Sequence, residues 1–224
     1  MTKLKICGLR EADHVQAAVA AGADFLGFNF VPGVRRQLAL DSARELIQQY
    51  RQHVQPEGPQ VVGLFANQPL DDVNDTVRHC GLDMAQLCGD EPPEYWQQVE
   101  VPVIKQVKVH DTGHHDAVVS EVLRSVEAVV SHGCVAMLDK HREGSLGGTG
   151  QTFDWSIAAE VAERYDFLLA GGLTPENVGQ AVSVAGPWGV DVSSGIETEG
   201  VKDPAKIARF AKEVRSADGS TGSP

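Results

Sequence analysis

The sequence predicts a single-domain α/β fold, a (β/α)8 TIM barrel whose closed sheet is parallel throughout. Short apolar runs alternate with amphipathic stretches along the 224-residue chain. Strands that alternate with helices pair in parallel, because each return must cross over one face of the sheet. Eight strand–helix units of about 25 residues each can be traced, more than the five or six strands common in an open doubly wound sheet. The last two units, LLAGGLTPENV at 168–178 and GVDVSSG at 189–195, stop at glycines or serines where a helix can begin. Two such loops side by side present unpaired N–H groups and helix dipoles to an anion, the phosphate site found after strands 7 and 8 of such barrels.

In chain order, residues 3–7 alternate as a strand and stop at Gly8, and the alanine-rich 11–21 stretch is a helix closed by Gly22. Strand 24–30 leads through a Pro32-Gly33 loop to a helix over 41–53, opened by Asp41 and Ser42 as caps. Strand 60–65, helix 70–79, strand 82–87 and helix 92–99 continue the pattern. Strand 102–109, a helix within 116–131, strand 135–138, a glycine-rich loop and a helix over 155–164 follow. Strand 166–170, helix 175–184, strand 189–192 and helix 204–215 complete it. An open sheet is the lesser alternative, since no GxGxxG follows the first strand. Residues 1–215 are expected to form the barrel and the small, polar 216–224 segment a disordered tail.

Composition is that of an ordinary globular protein, 42% hydrophobic and 22% charged. A formal net charge of −12 argues against nucleic acid as a partner, while leaving room for a small anion held by a few N–H groups and one arginine. No apolar run approaches the roughly 20 residues of a membrane span, and no signal peptide precedes the first strand, so the expected location is cytoplasmic, with no membrane partner. The four cysteines show no CxxC spacing and read as free thiols, and the eight histidines offer no metal-ligand spacing. Neither metal nor cofactor is expected, and monomer and homodimer both stay open.

In a barrel the chemistry gathers at the C-terminal ends of the strands. Those ends supply Cys7, the Arg35-Arg36 pair, Asn67, the run Gln86-Leu-Cys88, Asp139, Gly171-Gly172, and Asp191 with Ser193, Ser194 and Gly195. Each has a bland reading: a buried thiol as a small hydrophobe, Asn67 as a helix cap, Asp139-Lys140 as a turn or solvated pair, the arginines as surface charge. Their common position at one end of the barrel favours a site.

These stretches resemble the phosphoribosylanthranilate isomerase family of tryptophan biosynthesis over about residues 3–211. The resemblance is carried by KICG at 5–8, GFNF at 27–30, GLFAN at 63–67 and QLCGDE at 86–91. It continues in Leu138-Asp139, GGTGQTFDW at 147–155, AGGLTPENV at 170–178, GVDVSSGIE at 189–197 and residues 200–203. It implies an Amadori rearrangement of N-(5-phosphoribosyl)anthranilate, the third step from chorismate to tryptophan, on a small phosphosugar substrate and without a cofactor. By the same resemblance Cys7 is the general base, Asp139 the general acid and Arg36 the partner of the anthranilate carboxylate. Gln86 and Asp191 would also touch substrate, and Gly147, Gly148, Gly171, Gly172, Ser194 and Gly195 would surround the phosphate. The chemistry then requires a Cys7 pKa below about 8.5 and an Asp139 pKa above about 3.9.

Two positions depart from the family pattern. Val34 stands where the family usually has serine, which leaves the choice between Arg35 and Arg36 open, and Cys88 stands where it has histidine. Two rivals remain: the aminoaldose isomerase of histidine biosynthesis, which carries aspartate at the end of strand 1, and a noncatalytic phosphate-binding barrel. The latter would have Cys7 and Asp139 pointing apart.

Overall fold

The computed structural model of the protein describes residues 1–53, 58–111, 113–140 and 152–220. Eight parallel strands close in chain order: β1 (Lys3–Cys7), β2 (Phe25–Asn29), β3 (Gln60–Phe65), β4 (Met84–Leu87), β5 (Val103–Val109), β6 (Val135–Lys140), β7 (Phe167–Leu169) and β8 (Gly189–Val192), with β8 pairing back onto β1. The helices between them are α1 (Ala12–Ala20), α2 (Leu40–His53), α3 (Leu70–Cys80), α4 (Pro93–Trp96), α5 (His115–Ser131), α6 (Trp155–Ala162), α7 (Val178–Ala185) and α8 (Pro204–Ser220). Between β8 and α8 lie a 3-10 turn, Ser194–Ile196, and a hairpin of β9 (Glu197–Thr198) and β10 (Val201–Lys202). The closed (β/α)8 barrel is therefore the fold that the alternation predicts. Among the described residues, no helix is long and apolar enough to cross a membrane.

Alternate strand residues face the barrel axis. Toward the N-terminal ends these are apolar, with Phe25, Val62, Met84, Ile104, Met137 and Leu168 in one cluster. Toward the C-terminal ends the same faces turn polar, and Lys5, Gln86, Gln106, Asp139 and Asp191 are all buried there. The outward faces, among them Ile6, Leu26, Phe65 and Val190, join the larger core under the helices with Val15, Ile47, Val126 and Phe210. Unpaired polar groups are costly to bury, so a polar upper layer in an apolar barrel marks the end that does the chemistry.

Several boundaries differ from the expected ones. β6 runs on to Lys140 because Lys108 and Val109 of β5 continue the ladder opposite Asp139 and Lys140, so Asp139 sits inside a strand instead of in a turn. Lys140 turns away to Asp111 Oδ2 (3.2 Å) and the Thr152 carbonyl (2.9 Å). α2 begins at Leu40, which places Asp41 in its first turn rather than at its cap. α7 begins only at Val178, because Asn177 Oδ1 accepts from the Thr174 N–H (2.8 Å) and holds a turn ahead of the helix. α8 continues to Ser220, past the expected boundary at 215: Ala217 is buried, and Thr2 binds the Asp218 carboxylate through its N–H (2.7 Å) and hydroxyl (2.6 Å). Residues 216–220 are thus helical, and 221–224 lie outside the described residues.

Candidate active site at the C-terminal mouth of the barrel

Register sets the centre of the site. Lys5 of β1 lies opposite Asp191 of β8, and Lys5 Nζ meets Asp191 Oδ1 at 2.7 Å with no side-chain exposure of the lysine. Burial opposes the ammonium charge, but Asp191 and Cys7 outweigh it and raise the Lys5 pKa above the ordinary value. Two residues further along the same face stands Cys7, buried at 5% exposure. Asp191, expected to touch substrate, is held through Oδ1 in this ion pair.

Asp139 projects from β6 on the far side of the barrel. Burial, then the negative charge of Asp191, push its carboxyl up to about 6, against a backbone hydrogen bond at Lys140 and one from Gln106. Gln106 Nε2 donates to Asp139 Oδ2 at 2.7 Å. The raised acid is the one the chemistry requires. Cys7 runs the other way: burial pushes the thiol up, and the charges of Lys5, Lys202 and Arg36 reduce that shift without reversing it. The expectation of a lowered Cys7 pKa thus fails, because desolvation outweighs the nearby cations.

Gln86, on β4, is buried and donates through Nε2 to Cys88 Sγ at 3.2 Å. The carbonyl oxygens Gln86 Oε1 and Gln106 Oε1 have no partner among the described residues. Cys88 packs with Val31 and Ala66, and Val34 lies against the same small cluster. The two departures from the family pattern therefore meet in one apolar patch, beside the loop that carries Arg36. Asn67 does not cap α3, whose cap is Pro69. Its Oδ1 accepts from the Asp90 N–H at 2.7 Å and ties two loops together.

The two arginines differ in burial. The Arg35 side chain is 54% exposed and that of Arg36 only 15%. Arg36 donates from Nε to Glu197 Oε1 (2.7 Å) and from Nη2 to Glu197 Oε2 (2.9 Å), and its charge reaches Cys7. Lys202 Nζ meets Glu197 Oε1 at 3.0 Å and the Ser193 carbonyl at 2.7 Å.

At the expected phosphate cradle, Gly171 and Gly172 take φ of 89° and 64°, backbone open mainly to glycine. Asn177 Nδ2 fixes the loop by donating to the Gly172 carbonyl at 2.9 Å. Ser194 and Gly195 form the first two positions of the 3-10 turn, and Gly195 lies hard against the Leu173 carbonyl, so the loops after β7 and β8 are in contact. Gly147 and Gly148 lie outside the described residues.

Lys5, Gln106, Glu197 and Lys202 have no role assigned from sequence alone. Parity points to Lys5, since it shares a strand face with Cys7, and a lysine at mid-strand must be paired. Glu197 and Lys202 belong to matching stretches, but their joint contact with Arg36 is a matter of three dimensions.

Residues 4–213 match the family model for N-(5'-phosphoribosyl)anthranilate (PRA) isomerase. The chain is 41% identical over 220 residues to N-(5'-phosphoribosyl)anthranilate isomerase of Dehalococcoides mccartyi, covering 98% of this chain and 99% of the relative. It is similar to the crystal structure of phosphoribosyl anthranilate isomerase from Thermotoga maritima, with TM-score 0.82, 31% identity, and coverage of 96% of this chain and 100% of the other. A second solved structure, of phosphoribosyl anthranilate isomerase in complex with reduced 1-(o-carboxyphenylamino)-1-deoxyribulose 5-phosphate, aligns at TM-score 0.79 and 30% identity, over 96% and 100% of the two chains.

Proposed function

This chain belongs to the N-(5'-phosphoribosyl)anthranilate isomerase family, and from that premise we propose how its own residues carry the reaction. It is an isomerase of tryptophan biosynthesis, converting phosphoribosylanthranilate into 1-(2-carboxyphenylamino)-1-deoxyribulose 5-phosphate by an Amadori rearrangement. Asp139 gives its proton to the ring oxygen as the C1–O bond breaks, and the anthranilate nitrogen lone pair forms the C=N bond of a protonated Schiff base. Cys7, as thiolate, removes the C2 proton, and that electron pair makes the enolamine, which ketonises. Acid and base must stand on opposite faces of the sugar, which suits β1 and β6.

The observation that carries this reading is that Cys7 and Asp139 both sit in the one buried polar layer and both feel Asp191 as a charged neighbour. A barrel that only bound phosphate would have no use for such a pair. Near neutrality the free protein holds Cys7 as thiol and Asp139 mostly as carboxylate, so the reactive form is the minor tautomer of the pair. Arg36 meets the anthranilate carboxylate, and the Val31, Val34, Ala66 and Cys88 patch offers apolar ground for the ring. Gly171, Gly172, Ser194 and Gly195 cradle the phosphate, with Gly147 and Gly148 as further members. The carbonyl oxygens of Gln86 and Gln106 are free to accept from sugar hydroxyls. A cytoplasmic location belongs to the same reading, supported by four free thiols.

The test is turnover of phosphoribosylanthranilate followed by fluorescence. The wild-type protein is expected to convert it, and Asp139→Ala to lower kcat at least about 100-fold with the fold intact. Near-normal turnover by Asp139→Ala would remove Asp139 from the mechanism.

A further inference from the structure

Glu197 is the carboxylate on which the cations of the mouth converge. Its side chain is only 6% exposed, yet it receives Arg36 Nε and Nη2, Arg35 Nη2 and Lys202 Nζ. Burial alone would raise its pKa, but the hydrogen bonds of Arg36 and the charge and hydrogen bond of Lys202 hold it at about 2, so it is ionised throughout the working range. The carboxylate itself is held in place. Glu197 pairs with Lys202 across the β9–β10 hairpin, and its carbonyl accepts from Lys206 Nζ at 2.7 Å. On its other side Arg36 runs against Gly8, where an added Cβ would stand 2.5 Å from Arg36 Cδ, so the arginine stem is packed as well as paired.

We infer that Glu197 is a positioning residue that engages the Nε–Nη2 edge of Arg36 and thereby turns the remaining Nη1 toward the carboxylate of the substrate. This role rests on the assignment of Arg36 to that carboxylate and supplies the device that aims it. A guanidinium has five donors in a rigid plane, so fixing one edge fixes the direction of the others. Without Glu197, the stem would stay packed but the plane of the guanidinium would have to be ordered by the substrate itself, and affinity would fall while the acid and base stayed as they are.

Two fragments separate this role from a structural one. Anthranilate probes the Arg36 end of the site and inorganic phosphate the cradle end. In Glu197→Gln, the Kd for anthranilate and the KM for substrate are expected to rise at least about tenfold, the low end for losing a hydrogen bond to a charged group, with kcat and the Kd for phosphate within about twofold. Glu197→Asp, which keeps the charge on a shorter arm, should fall between. Unchanged anthranilate binding in Glu197→Gln would overturn the inference. So would equal loss of anthranilate and phosphate binding, which would mark a general collapse of the mouth. Arg36→Ala is the control: if it too leaves anthranilate affinity untouched, the carboxylate assignment falls and the positioning role with it. A strong effect of Arg36→Ala beside a silent Glu197→Gln overturns the positioning role alone.

Discussion

Lys5 and Asp191 form a 2.7 Å ion pair inside the barrel, with the lysine end beside Cys7 and the aspartate charge reaching both Cys7 and Asp139. The cation favours the thiolate and the anion favours the protonated acid, so this pair acts on both reacting groups at once.

Breaking the pair should therefore cost both stability and function. Lys5→Met leaves a buried aspartate unpaired, and urea unfolding is expected to show a loss of about 3–5 kcal/mol. Lys5→Met combined with Asp191→Leu should recover most of that stability while activity stays low, since apolar packing can replace a buried ion pair but not its field. Full stability in the single variant would show that the pair is more hydrated than its burial indicates.

The pH profile of kcat/KM should be a broad bell. The singly protonated pair includes the reactive tautomer, so activity rises through about pH 6 as Asp139 loses its proton. It should fall only above the ordinary thiol range, because burial pushes Cys7 up. A descending limb near neutrality would show that the free protein holds Cys7 at a lowered pKa.

Gln106→Leu tests the partner of the acid. The amide N–H stabilises the charged carboxylate at 2.7 Å, so its removal favours the protonated form. The ascending limb of the profile should move about one unit to higher pH, as for losing a hydrogen bond to a charged group. No movement would place that limb on another group.

Gly195→Ala addresses the cradle. An added Cβ would stand 1.9 Å from the Leu173 carbonyl oxygen and force apart the loops after β7 and β8. Calorimetry should show weaker binding of inorganic phosphate, and urea unfolding a loss of roughly the 1–3 kcal/mol typical of overpacking. Wild-type phosphate affinity would place the phosphate elsewhere.

Much of this molecule is legible in its sequence, because strand–helix alternation is a local property and a parallel sheet follows from it. The site residues at strand ends, Cys7, Asp139 and Asp191, can be named because the barrel gathers those ends whatever their separation in the chain. What stays hidden depends on register and burial. The Lys5–Asp191 contact joins residues 186 positions apart, and Glu197 gains its meaning only when the β9–β10 hairpin folds over the loop of Arg36. The direction of the Cys7 shift escapes the sequence for the same reason: nearby cations can be guessed from it, whereas the depth of burial that outweighs them cannot.

The assignment of base and acid is tested most directly by the steady-state turnover of Cys7→Ala on phosphoribosylanthranilate, with binding of the substrate fragments measured in parallel. The expected result is a kcat at least about 100-fold below wild type, with anthranilate and phosphate affinities retained. A Cys7→Ala variant that turns over at near the wild-type rate would contradict it.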